Sequence, residues 1–348
     1  MTKWYEQTGR EEDGVISTRV RLARNLRDLP FPARMDDGQK KRLNQSVYAA
    51  LQAPMENAGL PLRYVEMGAL SDLEALAMVE RHCISPEFAR DREGRALLLS
   101  DNESVSIMLG EEDHIRVQAL LPGLALDEAY ALANGIDDVL AQALPLAFDK
   151  NLGFLTACPT NLGTGLRASV MLHLPALESR GAMAQITAMI SKIGLTVRGL
   201  YGEGSGPKAS MYQLSNQVTL GISEAAALSN LKSIIGQILA KEREARETLD
   251  QEKLEDMVWR ALGLLCSARS MSGEEFMNLI SAVRLGAYMG ILHVDKALIA
   301  RLMIECQPAM LQLSHRERGA QTPMDPAHRD RLRASLLRQS FRDASLAE

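Results

Sequence analysis

The chain has 348 residues, of which 46% are hydrophobic and 24% charged, with a formal net charge of −5. That is room for one large domain or two unequal ones, and the acidic balance excludes a general nucleic-acid binder, so any basic chemistry has to be local. The start, MTKWYEQTGREEDG, is polar where a secretion signal is apolar, and no apolar run reaches the ~18 residues of a bilayer span, so a cytoplasmic protein with no membrane partner is expected.

The first informative block is STRVRLARNL, residues 17–26. Arg19, Arg21 and Arg24 alternate with Val20 and Leu22, the period-two pattern of a strand, so Arg19 and Arg21 point the same way. Two readings are open, an edge strand guarded by charge or a pair of guanidinium forks aimed at a polyanion. Apolar spacing predicts a helix over 36–58, and Ser71 with Glu74 forms a capping box that opens another over 71–79. Its end carries His82, which by itself reads as a structural histidine. Short apolar runs at 96–99 and 105–109 predict a strand pair leading to Glu111, Glu112 and Asp113. Three adjacent carboxylates repel one another, so this is either a solvated turn or a holder for a metal, a lysine or a guanidinium.

A helix follows over 127–143 with Asp127 as its cap, and a strand over 154–157 leads into CPTNLGTGLRASV, residues 158–170. Gly163 and Gly165 lack side chains that would keep backbone amides from a bound group, and Arg167 carries a charge suited to phosphate. An ordinary strand-to-strand turn also fits this run. The four cysteines, Cys83, Cys158, Cys266 and Cys306, show no CxxC spacing, so neither a zinc site nor a disulfide frame is indicated. Cys158 alone opens a loop of this kind, where redox, substrate-contact and packing roles are all open. A helix over 183–193 closes at Gly194, and a strand over 195–200 runs into YGEGSGPKAS, whose glycines surround Glu203 as a closing lid would require. Another strand covers 211–216.

After Ser223 the apolar spacing is helical almost throughout, over 224–248, 251–268, 273–289, 295–306 and 326–341, with a capping box at Ser272 and Glu275. The expected domains are therefore 1–240 and 241–348. The last helix starts with Asp325 as N-cap and Pro326 at its first position, then reads HRDRLRASLLR. Arg329 and Arg333 share a face with Asp330 beside them, either a self-paired surface or a clamp for a group anionic at one end and cationic at the other.

No GxxxxGK[ST] is present, so a nucleotide site here would need arginines for its phosphates. Arg19, Arg21, Arg116, Arg167 and Arg198 carry more charge than a monophosphate matches, which favours a nucleoside triphosphate with Mg2+ bridging its oxygens. The carboxylates of Glu111, Glu112 and Glu203 then ask for a cationic acceptor, and a guanidinium pairs with two of them. Deprotonating it in advance at pH 7 would cost roughly 9 kcal/mol. The proton should instead leave as the N–P bond forms, with a carboxylate accepting it.

STRVR at 17–21, EEDHIR at 111–116, CPTNLGTGLR at 158–167 and RGLYGE through YQLSN at 198–216 resemble, in order, the signature blocks of the phosphagen (guanidino) kinase family. The resemblance implies an α+β fold, an antiparallel sheet flanked by helices, followed by an all-α C-terminal domain. It implies ATP contacts at Ser17, Thr18, Arg19, Val20 and Arg21, at His82 and Arg116, at Arg167, Ala168, Ser169, Val170 and Met171, and at Arg198, Gly199, Leu200, Tyr201, Gly202 and Glu203. Glu111, Glu112, Glu203 and Cys158 are the implied catalytic residues, with Mg2+ carried by the nucleotide and no metal held by the protein.

Small-molecule members of the family carry a helical domain ahead of STRVR, whereas 16 residues precede it here. That feature and RDRLRA at 329–334 resemble the bacterial members that phosphorylate arginine side chains in proteins and mark them for a Clp protease. By this resemblance Arg329, Asp330, Arg331, Leu332, Arg333 and Ala334 form an allosteric phosphoarginine site. A homodimer, a zinc-binding activator and a Clp ATPase are the expected partners beside the protein substrates. A free-arginine kinase and a non-catalytic phosphoarginine-binding adaptor are the alternatives, opposed respectively by the short amino-terminal segment and by the retained glutamates.

Overall fold

The alternation along β1 (Val15–Arg24) sets the architecture. Val20 and Leu22 are fully buried on one face, while Arg19 and Arg21 face the other. A computed structural model describes residues 1–199, 209–317, 324–341 and 345–346. In it β1 lies inside an eight-stranded antiparallel sheet built with β2 (Leu62–Glu66), β3 (Ala96–Ser100), β4 (Val105–Leu109) and β5 (Ile115–Pro122). A short ribbon, β6 (Phe148–Asp149) with β7 (Gly153–Phe154), precedes β8 (Leu166–His173), β9 (Leu195–Gly199) and β10 (Met211–Asn216). The order is β2-β3-β4-β5-β1-β8-β10-β9, so the blocks at 17–21, 115–122 and 166–171 lie side by side at its centre.

One face of this sheet is covered by α1 (Asp37–Asn57), α4 (Leu126–Ala143), α5 (Pro175–Ser179), α6 (Met183–Ser191) and α7 (Glu224–Glu247), while α2 (Asp72–Glu80) and α3 (Pro86–Arg90), between α1 and α4 in the chain, lie on the opposite face. Asp36 caps α1 in a capping box with Gln39, and Ser71 and Glu74 cap α2 as the sequence predicts. Asp127 is not the cap of α4. That position falls to Ala125, and Asp127 sits in the first turn paired with Lys232. The opposite face is covered at its β2–β4 end by α2 and α3, and at its β8–β10 end by the C-terminal helices. These are α8 (Gln251–Ser267), α9 (Gly273–Tyr288), α10 (Lys296–Glu305), α11 (Pro308–Glu317) and α12 (Pro326–Ser340). Met211 and Ala209 are buried among them.

The change of hydrophobic core falls between Ala245 and Leu254, so all of α7 belongs with the sheet and the helical unit begins at α8, somewhat after residue 240. A β-bulge between Val15 and Ser17 breaks the pairing of β1 with β8. Val15 packs in the sheet's main core, whereas Ile16 packs against the C-terminal helices and Ser17 faces the open side. Upstream, Trp4 and Tyr5 form a strap that packs on Leu120 and Ile304, tying the sheet to α10. Among the described residues no helix is long and apolar enough to cross a membrane.

Candidate active site

Between the two covers of the open face lies a cavity of about 440 Å³. Cross-strand register assembles its floor, with Arg167 and Arg198 on neighbouring strand positions outside the lining. Arg21 stands opposite Gln118 on β5 and Arg167 on β8, Arg19 opposite Leu120 and Ser169, and Ser17 opposite Met171. Arg198 on β9 faces Gln213, whose other neighbour is Met171. Like charges directly opposite on adjacent strands repel, so the juxtaposition of Arg21 and Arg167 favours an anion nearby. Burial, together with the charges of Arg116 and Arg167, holds the Arg19 pKa down at about 10. Arg21 is pushed well below its ordinary value by burial and by Arg19, Arg116 and Arg167, and its Nε is buried without a hydrogen-bond acceptor. A guanidinium under such pressure keeps its proton and attracts anions. The Arg19 Nη2 donates to Gln213 Oε1 at 3.2 Å. The residues therefore fit a polyanion such as a nucleoside triphosphate.

Of the expected nucleotide residues, Ser17, Arg19, Arg21, His82, Arg116, Ser169 and Met171 line the cavity. Thr18, Val20, Ala168 and Val170 do not contribute side chains to it. They are the alternate residues of the same strands and are buried on the core face, where the Thr18 hydroxyl donates to the Gly123 carbonyl at 2.7 Å. Arg24 also leaves the arginine row, because it lies on the core side, ion-paired to Asp137 at 2.7 Å under the Phe154 ring. Gly199 ends β9. Leu200, Tyr201, Gly202 and Glu203 lie outside the described residues.

His82 reaches the wall through the end of α2. The Cys83 amide bonds back to Met78 and the His82 amide to Val79, which places His82 at the left-handed position of a Schellman cap with φ 59°. Its carbonyl accepts from Gln118 at 2.8 Å, and burial with the nearby charge of Arg19 lowers its pKa to about 4.

The carboxylates sit at the rim. Glu111 accepts from the Ser85 hydroxyl and forms an ion pair with Arg116, while Glu112, 44% exposed, reaches the same guanidinium at 3.3 Å. Of the cations allowed by the sequence, a guanidinium is the one present. Asp113 is structural, its Oδ1 accepting from Asn25 Nδ2 and the Ala157 amide, both at 2.7 Å. That bond holds the start of the Gly-rich loop beside the glutamates. His114 is buried, accepting from the Leu26 amide through Nδ1 and donating to the Pro30 carbonyl through Nε2.

The Gly-rich loop corrects one expectation. Gly163 (φ 106°) and Gly165 (φ 63°) are needed for packing, since a Cβ would meet the Thr219 carbonyl oxygen at 2.3 Å and the Ala23 carbonyl oxygen at 2.6 Å. The Gly163 amide is engaged by Phe154, so it offers no donor to a phosphate. Half-buried Cys158 lies outside the cavity lining, its Sγ 3.0 Å from Thr160 Oγ1.

In α12, Asp330 and Arg333 pair with each other at 2.7 Å, so Asp330 does not stand ready for an outside guanidinium. Arg333 is 1% exposed and donates to the Cys306 and Met271 carbonyls, and Ala334 is equally buried. Arg329 and Leu332 are half-buried and Arg331 exposed. Ser85, Gln118, Gln213 and Trp4 are site residues that sequence reasoning missed. Gln118 could have been found, standing two residues from Arg116 on the same strand face.

Comparison with known proteins agrees with this geometry. The model of the ATP:guanido phosphotransferase C-terminal catalytic domain matches residues 42–245, and that of the protein-arginine kinase McsB C-terminal domain matches 251–348. Among solved structures, lombricine kinase superposes with a TM-score of 0.60 at 24% identity, over 69% of each chain. A duplicated taurocyamine kinase from Schistosoma mansoni gives 0.59 at 27% identity, over 66% of this chain and 33% of that one. Fold and site thus define an ATP-using phosphotransferase of guanidino groups. A protein-arginine kinase of Moorella thermoacetica is 46% identical over 97% of both chains, and one of Desulforamulus reducens 45% identical over 99% of this chain and 96% of its own. The chain belongs to the phosphagen (guanidino) kinase family, on its bacterial protein-arginine kinase branch.

Proposed function

We propose that this kinase transfers the γ-phosphoryl group of ATP to the guanidinium of arginine side chains in proteins. The observation that carries the site assignment is the convergence of Arg19, Arg21 and Arg116 on one cavity, where the buried Nε of Arg21 has no hydrogen-bond acceptor, with Glu111 and Glu112 held beside it on Arg116. In this reading the arginines hold the triphosphate and neutralise charge developing in transfer. Mg2+ would supply further charge neutralisation from the phosphate oxygens. Arg116 and Ser85 fix Glu111 at the junction. Exposed Glu112, with Glu203 assigned through the sequence resemblance, orients the acceptor and receives its proton. His82 contacts the nucleotide, and Cys158 stands beside the acceptor.

The test is incubation with ATP and a model protein, expecting an acid-labile phosphate localised to arginine by mass spectrometry. Labelling of free arginine alone, or of serine, overturns the reading. Glu111→Gln should abolish transfer while ATP binding survives. Phosphoarginine binding at α12 is part of the proposal, with Arg329 and Arg331 as the accessible contacts and Arg333 positioning the helix; Asp330 would have to exchange its partner. Clp-dependent degradation, an activator protein and a homodimer enter it through the sequence resemblance.

A further inference from the structure

The cavity has two unlike ends. Arg21, Arg116 and Arg19 mark one, and from Ser17 onward the floor becomes apolar, passing Leu120 and Met171. The roof over this apolar end does not come from the sheet domain. It comes from Met277 of α9 and from Ala300, Met303 and Ile304 of α10, with Trp4 of the strap at the side. Met171 and Met211 rise from the floor into the same apolar cluster as Met277 and Met303. Methionine sulfurs are polarizable and make favourable contacts with aromatic rings, which suits a flat heterocycle between two such surfaces. The cavity volume of about 440 Å³ lies within the range of small-molecule sites.

We infer that the C-terminal helical unit supplies the outer wall of the nucleobase pocket, so that ATP is bound between the two domains and α10 helps to determine affinity for the base. This rests on the nucleotide reading above. It assigns to Met303, Ile304 and Ala300 a binding role outside the residues 42–245 matched by the catalytic-domain family model. The strand register fixes the polarity: phosphates run toward Arg21 and Arg116, and the base toward Ser17 and α10.

Two measurements test it. The full chain is irradiated with 8-azido-ATP and the adducts are mapped by peptide mass spectrometry. Adducts are expected within 296–307 as well as on the sheet, and labelling confined to residues 1–245 overturns the inference. Separately, Ala300→Phe fills the base end from the helical side. It should weaken ATP binding by at least about tenfold, as overpacking of a formed pocket does, with tripolyphosphate affinity unchanged. Unchanged ATP affinity in a folded variant overturns the inference, and if the variant melts early the cross-link on the unaltered chain decides. Failure of the unaltered chain to bind either ATP or tripolyphosphate would instead defeat the nucleotide reading itself.

Discussion

Arg21 is buried among three other guanidinium groups, and its Nε has no hydrogen-bond acceptor. Arg21→Ala should therefore cost ATP affinity about 10- to 100-fold, the worth of a charge-assisted hydrogen bond. The melting temperature of the ligand-free protein should hold or rise, because burial and three guanidinium neighbours bear on that residue. A drop in melting temperature would contradict the reading that burial and like charges press on Arg21. The histidines set an acid limit. His82 falls to about 4, and His114 and His173 also lie below their ordinary value, all mainly through burial. A lowered folded value means that the unfolded chain takes up protons first, so stability is complete above pH 6.5 and is lost as pH falls toward 4. For His82 alone this amounts to about 3 kcal/mol by pH 4, readable as a falling denaturant midpoint between pH 7 and 4.5. A flat profile would contradict it. At this scale the sequence was legible wherever period two applied: Arg19 and Arg21 share a face as their spacing demands. It was not legible for Arg333, whose burial depends on the Cys306 and Met271 carbonyls brought to it by other helices.

Elements hold these residues through a few close contacts. Gly163→Ala would place a Cβ at 2.3 Å from the Thr219 oxygen in a left-handed backbone, with an expected loss of at least about 2 kcal/mol in denaturant unfolding. Arg333→Lys cannot reproduce a fork that serves two carbonyls and Asp330, so it should destabilise by about 3–5 kcal/mol, nearly as much as Arg333→Ala. Rescue by lysine would refute that account. Glu80, at the end of α2, caps α11 through the Ala309 and Met310 amides at 2.9 and 2.8 Å. Strand alternation, capping residues and the helical texture after 223 were all readable from the chain. The cap of α4 and the helix α11 were not, because each depends on partners distant in sequence.

At the scale of the whole molecule, two covers and a strap turn one face of a sheet into a cavity. If α10 roofs that cavity, saturating ATP should slow amide exchange in 296–305 together with β1 and β8. At 100 times its Kd the ligand should add about 2.7 kcal/mol to the stability of the assembled chain. Protection confined to the sheet would argue for independent domains. No pattern in the chain announces this meeting of α10 with the sheet, since it is a tertiary fact. It depends on the one-residue bulge at Ile16. A bulge absorbs one residue without exchanging inside for outside beyond it, and here the extra residue adds a contact. It lets Val15 and Ser17 pair with adjacent residues of β8 and serve opposite faces while Ile16 joins Ser17 on the ligand side, against the C-terminal helices. Deleting Ile16 would therefore leave Val15 and the arginines in phase, closing the ladder into a regular one and removing only a wedge by which the strand grips the C-terminal helices.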